Sequence, residues 1–118
     1  MTRAKHETYG AFTRRLREEK NFGLREFAKM LGVSATYVSQ VERDELPAPA
    51  EERVEKTAEL LGVDRDELMA LAGRVATELE DIIRDKPKGA AVLLRHVKKM
   101  SAEELDDLNK KLSAKDKR

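Results

Sequence analysis

Ser34, Thr36, Ser39, Gln40 and Arg43 form a short run of hydrogen-bonding side chains that ends on a guanidinium. Groups of this kind recognise polar edges and anions, and none of them is a strong nucleophile or base unaided. The apolar residues around them obey a tighter rule. Two helices that cross near a right angle after a tight turn need a small side chain where their backbones approach, and Ala28 meets that need. The turn needs a residue tolerant of positive φ, and Gly32 stands four positions on. The second helix then needs branched apolar side chains facing the first, and Val38 and Val41 lie ten and thirteen positions beyond Ala28. Phe27, Leu31 and Val33 fill the pocket between the two helices. The pattern turns the outer face of residues 34–42 away from the protein.

The elements that hold this arrangement follow from helical periodicity, and no strand-like alternation or low-complexity tract interrupts them. A first helix is predicted over about residues 8–20, with Phe12 and Leu16 inward. A second, over 24–31, follows Gly23 as N-cap and ends at Gly32. Ser34 caps a third, over 35–42. Leu46, Pro47, Ala48 and Pro49 then break the chain, and a fourth helix over 51–61 buries Val54, Ala58 and Leu61 before Gly62 stops it. Asp64 to Glu67 is a capping-box pattern that opens a fifth helix ending near Gly73. Beyond it, Leu79, Ile82 and Ile83 mark a short helix, Pro87 starts one carrying Val92, Leu93, Leu94, Val97 and Met100, and Ser101 to Glu104 opens a last one striped by Leu105, Leu108 and Leu112. Residues 113–118 are expected to form a frayed tail.

The register of Ala28, Gly32, Val38 and Val41 is helix-turn-helix spacing; an ordinary helical hairpin does not require it. With Leu24-Arg25-Glu26-Phe27-Ala28, Leu31-Gly32-Val33-Ser34, Tyr37-Val38-Ser39-Gln40-Val41-Glu42-Arg43, Pro49 and Ala58-Glu59-Leu60-Leu61-Gly62-Val63, residues 8–73 resemble the phage-repressor-like regulators of the Cro/C1 or XRE type. The resemblance implies five helices with the third in the DNA major groove. It implies that Ala35, Thr36, Tyr37, Ser39, Gln40 and Arg43 face the bases and Ser34 a phosphate, and that Arg17 and Glu42 form a partly buried ion pair. The residue types suit those roles. Gln40 can bond bidentately to an adenine edge, Ala35 or Thr36 can touch a thymine methyl, and Arg43 can reach a guanine or a phosphate. Arg14, Arg25 and Lys29 suit further phosphate contacts. Thr36 and Gln40 otherwise stand as exposed polar residues, and Tyr37 as a residue packed under the third helix. The chain departs from the family pattern after Arg43, where many relatives carry glycine. Here Asp44 and Glu45 put two carboxylates near the phosphate backbone, so this loop either turns away from DNA or weakens sequence-independent binding. Ala50 also replaces the serine cap expected after Pro49.

Composition narrows the classes without deciding among them. The 118 residues are 40% apolar and 40% charged, with no cysteine, which removes disulfides and thiolate chemistry. Net charge is +1, but residues 1–33 carry eight basic against four acidic groups, residues 34–73 four against ten, and residues 74–118 twelve against nine. A DNA surface must therefore be a local basic patch of the first block. No apolar run is long enough to span a bilayer and no secretory signal is visible, so a soluble cytoplasmic protein is expected. His6 and His96 lack ligand-like partners, and the carboxylates of residues 51–67 read as a solvated face. No cofactor, metal or enzymatic activity is expected. The overall expectation is an all-α chain: a five-helix helix-turn-helix domain over 1–73, then a C-terminal helical segment over 74–118. That segment either completes the monomer core or, as we favour, forms a homodimer interface. Double-stranded DNA is the expected partner of a repressor-type regulator. The alternative is a protein-interaction module, a coactivator or antitoxin, with a regulatory protein partner.

Overall fold

The computed structural model describes residues 3–4 and 6–116. Eight helices follow one another among the described residues: α1 Tyr9–Glu19, α2 Leu24–Leu31, α3 Ala35–Glu42, α4 Glu51–Leu61, α5 Arg65–Leu71, α6 Ala76–Asp85, α7 Pro87–Lys99 and α8 Ala102–Asp116. The chain divides into two compact units, residues 1–77 and 78–118. The all-helical fold expected from periodicity is present. One expectation fails at the C-terminus, where residues 113–116 continue α8 instead of fraying; Lys117 and Arg118, the end of that expected tail, lie outside the described residues. Ser101 explains the strength of this helix. Its hydroxyl accepts from the Glu104 N–H while the Glu104 carboxylate accepts from the Ser101 N–H, each at 3.1 Å, so the capping box is complete.

The first unit closes around one core. Phe12, Leu16, Val54, Leu61 and Leu68 are fully buried, and Phe27, Ala28, Val38, Val41, Ala58 and Met69 join them. Every one of α1 to α5 contributes, because each carries its apolar residues three or four positions apart. The helices of this unit share one ending. At Asn21, Gly32, Asp44, Gly62 and Gly73 the backbone turns to positive φ. The next residue's N–H then reaches back to a helix carbonyl: Phe22 to Arg17, Val33 to Ala28, Glu45 to Gln40, Val63 to Ala58, and Arg74 to Met69. These are Schellman closures, which satisfy carbonyls the helix leaves without partners. Each closure reverses the chain within two residues, and the second and third place α2, α3 and the following loop.

Two further contacts lock the ends of α1 and α3 together. A Cβ on Gly10 would lie 2.3 Å from the Val41 carbonyl oxygen, so only glycine permits this approach of the two backbones. Beside it the Thr8 hydroxyl caps Ala11 at 3.1 Å and donates to Asp44 Oδ2 at 3.0 Å. The Asp44 carboxylate thus lies at the positive end of α1, where the helix dipole favours it. Further on, the Arg74 guanidinium donates to the carbonyls of Ala48 and Pro49 and fastens the loop between α3 and α4. Among the described residues no helix is long and apolar enough to cross a membrane.

Candidate nucleic-acid interface

α3 owes its position to three anchors. Ser34 starts it, its hydroxyl accepting from the Tyr37 N–H at 3.1 Å. Val38 and Val41 bury one side against the core. Glu42 completes the anchoring: Arg17 Nε donates to its Oε2 at 2.7 Å and Arg17 Nη2 to its Oε1 at 3.0 Å. Arg17 Nη1 also donates to the Phe22 carbonyl at 2.8 Å. The Arg17 and Glu42 side chains are only 10% and 5% exposed, so this bidentate pair works as an internal brace between α1 and α3. The Glu42 hydrogen bond raises the Arg17 pKa above its ordinary value, against the lowering effect of burial.

With Val38, Val41 and Glu42 turned inward, the opposite face of α3 is left outside. An open groove runs between this face and the start of α2; Ala35, Thr36, Ser39 and Arg43 line one side, and Gly23, Leu24, Arg25 and Glu26 the other. Four candidate base-reading residues and one candidate phosphate contact therefore share one concave surface. Gly23 supplies no side-chain cap, so the first N–H groups of α2 remain available at the groove's edge. Arg14 joins Ser39 and Arg43 around an adjoining depression, and its guanidinium pairs with Glu18 at 2.9 Å. Lys29 and Ser34 are exposed but lie off the groove, and Gln40 is half-buried one turn before Arg43.

Tyr37 goes elsewhere. It is half-buried against the core and lines a small, partly open pocket with Tyr9, Phe27, Pro49 and Thr57. Glu26 was not anticipated as a groove residue; its place at the third position of α2 is the signal that would have found it, since that residue flanks the helix start. The two carboxylates after Arg43 separate. Asp44 turns to Thr8, whereas Glu45 pairs with Arg43 Nη2 at 3.1 Å.

The chain can be set beside known proteins on this geometry. Residues 8–71 match a family described as a helix-turn-helix domain. No curated protein matches the chain in sequence. Among solved structures it is similar to SinR, described as the master regulator for biofilm formation in complex with DNA. The identity there is 31% over 52% of this chain and 98% of that chain, with a TM-score of 0.48. It is also similar to a chain of the SinR protein/SinI protein complex, at 23% identity over 94% of this chain and 100% of that one, with a TM-score of 0.51. The second likeness is one of fold. The family match covers more than half of the chain and all the residues that build the groove. The chain belongs to the helix-turn-helix domain family.

Proposed function

We propose that the chain is a sequence-specific transcriptional repressor that binds a palindromic operator as a homodimer, with α3 in the major groove. The observation that carries this reading is the groove in which Ala35, Thr36, Ser39 and Arg43 meet Arg25 and the uncapped start of α2. Side chains on α3 meet base edges: Gln40 an adenine, Ala35 or Thr36 a thymine methyl, Arg43 a guanine. Ser39 adds a hydroxyl to the same face. Arg14, Arg25, Lys29 and Ser34, with the N–H groups of α2, hold phosphates and fix the register. Tyr37 supports α3 from beneath. Occupancy of the operator blocks polymerase, and a cytoplasmic location accompanies a DNA ligand.

Residues 1–73 serve as the DNA-binding domain and 74–118 as the dimerisation segment. Leu79, Ile82, Ile83, Val92, Leu93 and Leu94 are all exposed, which a stable monomer has no reason to tolerate in one short segment. α6 is predominantly acidic and α7 predominantly basic, so a second copy offers these faces complementary charge as well as apolar cover. Two-fold pairing sets half-sites about one DNA turn, roughly 34 Å, apart. A second reading rests on the same exposed face: a different protein can close it, making the chain an interaction module.

Selection of bound DNA from a random duplex pool tests the proposal. Enrichment of a palindromic consensus is the expected result. A pool that never enriches, with a stoichiometric protein complex formed instead, would establish the second reading.

A further inference from the structure

Arg43 is held in place before any DNA arrives. Its Nε donates to the Ser39 carbonyl at 3.3 Å and its Nη2 meets the Glu45 carboxylate at 3.1 Å. The backbone prepares this contact. Asp44 at φ 62° reverses the chain, and the Glu45 N–H donates to the Gln40 carbonyl at 2.8 Å, returning the carboxylate to the last turn of α3. Asp44 itself is occupied with Thr8, so Glu45 alone of the two carboxylates acts on the groove. Arg43 Nη1 has no hydrogen-bond or ion-pair partner among the described residues, and Arg43 lines the groove with Thr36 and Ser39.

We infer that Glu45 is a specificity-determining positioning residue: it tethers the Arg43 guanidinium to the end of α3, presenting its free edge to a base and keeping it from the phosphate backbone. The inference rests on the proposed DNA reading of α3. A base contact through the free edge leaves the Glu45 pair intact and exploits an orientation already fixed, so little side-chain freedom is lost on binding. A phosphate contact requires Arg43 to swing away, and the pair must break first. Sequence-independent binding is driven by phosphate contacts, so the tether weakens that mode and spares the matched site.

The test measures binding of two duplexes by fluorescence anisotropy across a salt series: the duplex recovered by random-pool selection and a scrambled duplex of equal length. The proteins are the full-length wild type, Glu45→Gln, Arg43→Gln and the double variant. Glu45 is exposed, and thermal melts confirm that each variant folds. With Arg43 present, Glu45→Gln is expected to tighten the scrambled duplex about two- to five-fold, the range of an exposed ion pair, and to steepen its salt slope by about one ion. The selected duplex gains nothing, so the ratio of the two affinities falls. In the Arg43→Gln background, Glu45→Gln leaves that ratio unchanged. An equal gain on both duplexes would reduce Glu45 to simple charge repulsion and overturn the inference, as would the same fall in ratio without Arg43. A wild type that binds both duplexes alike would instead remove the DNA reading, and this inference with it.

Discussion

The two units spend their apolar residues differently. In residues 1–77 the large apolar side chains of five helices point into one core, with Phe12, Leu16, Val54, Leu61 and Leu68 sealed from solvent. In residues 78–118 three well-formed helices leave Leu79, Ile82, Ile83, Val92, Leu93 and Leu94 exposed, and α6 and α8 bury nothing. Both regions satisfy the local rules for helices: periodic apolar residues, a proline at the start of α7, a complete capping box before α8. Local rules therefore make helices in either place, whereas closure of a core needs long-range partners that the first unit supplies for itself. Arg17 with Glu42, Thr8 with Asp44, and Arg74 with Ala48 and Pro49 are such partners, each separated by at least 25 residues. The second unit, on the proposed function, obtains them from another chain.

The largest expected effect lies in the first unit. Glu42→Ala removes one half of a buried pair and leaves Arg17 with only the exposed Glu18 carboxylate, 3.9 Å away, at a cost of about 3–5 kcal/mol in chemical denaturation. A cost below 1 kcal/mol would mean that the brace is solvated and that α3 is held by Val38 and Val41 alone.

Alkaline pH probes the same core through Tyr9, whose hydroxyl burial pushes up from 10.0 to about 12, with the Thr57 hydrogen bond acting the other way. Because the folded value is the higher, the neutral hydroxyl stabilises the fold fully below pH 10, and this contribution disappears as pH rises through about 12. The loss is of the order of 2–3 kcal/mol, and Tyr9→Phe should flatten that part of the stability profile. An unchanged profile would place the Tyr9 hydroxyl in water.

Gly10→Ala forces a methyl group onto the Val41 carbonyl oxygen and should cost about 1–3 kcal/mol, with α1 and α3 pushed apart. A thermal melt that does not move would show that the two backbones separate freely.

The smallest effect on stability belongs to the second unit and sharpens the contrast. Leu93, 55% exposed, tolerates Leu93→Asp within about 0.5 kcal/mol of monomer stability. On the proposed homodimer, light scattering should nevertheless show a dimeric wild type reduced to a monomer. A dimer that persists would move the interface away from α7.

Much of the recognition unit was legible in the residues, for physical reasons that lie close to the chain. Gly32, Ser34 and Gly62 are local punctuation, and α2, α3 and α4 begin and end where these residues place them. The inward set of Val38 and Val41 follows from helical spacing alone. What stayed hidden depends on partners far along the chain. Asp44 read as an electrostatic liability beside phosphate, because its acceptor role towards Thr8 exists only once α1 packs on α3. Gly10 carried no visible constraint for the same reason, and Arg74 gave no sign that it would fasten the loop at Ala48 and Pro49. Tyr37, chemically suited to a base or to the core, is half-buried against the core, a placement that depends on the space beneath α3. The tail over 113–116 was misjudged because its polar residues suggested solvent rather than a helix already started firmly at Ser101.

The most direct measurement on α3 sets Gln40→Ala beside Arg25→Ala in gel-shift titrations against the selected duplex and its single-base-pair variants. Gln40→Ala should lose affinity for the selected duplex by about 1–3 kcal/mol and cease to discriminate at one base pair. Arg25→Ala should weaken every duplex alike and reduce the salt slope by about one. Equal, sequence-blind losses for both variants would contradict a reading helix in α3.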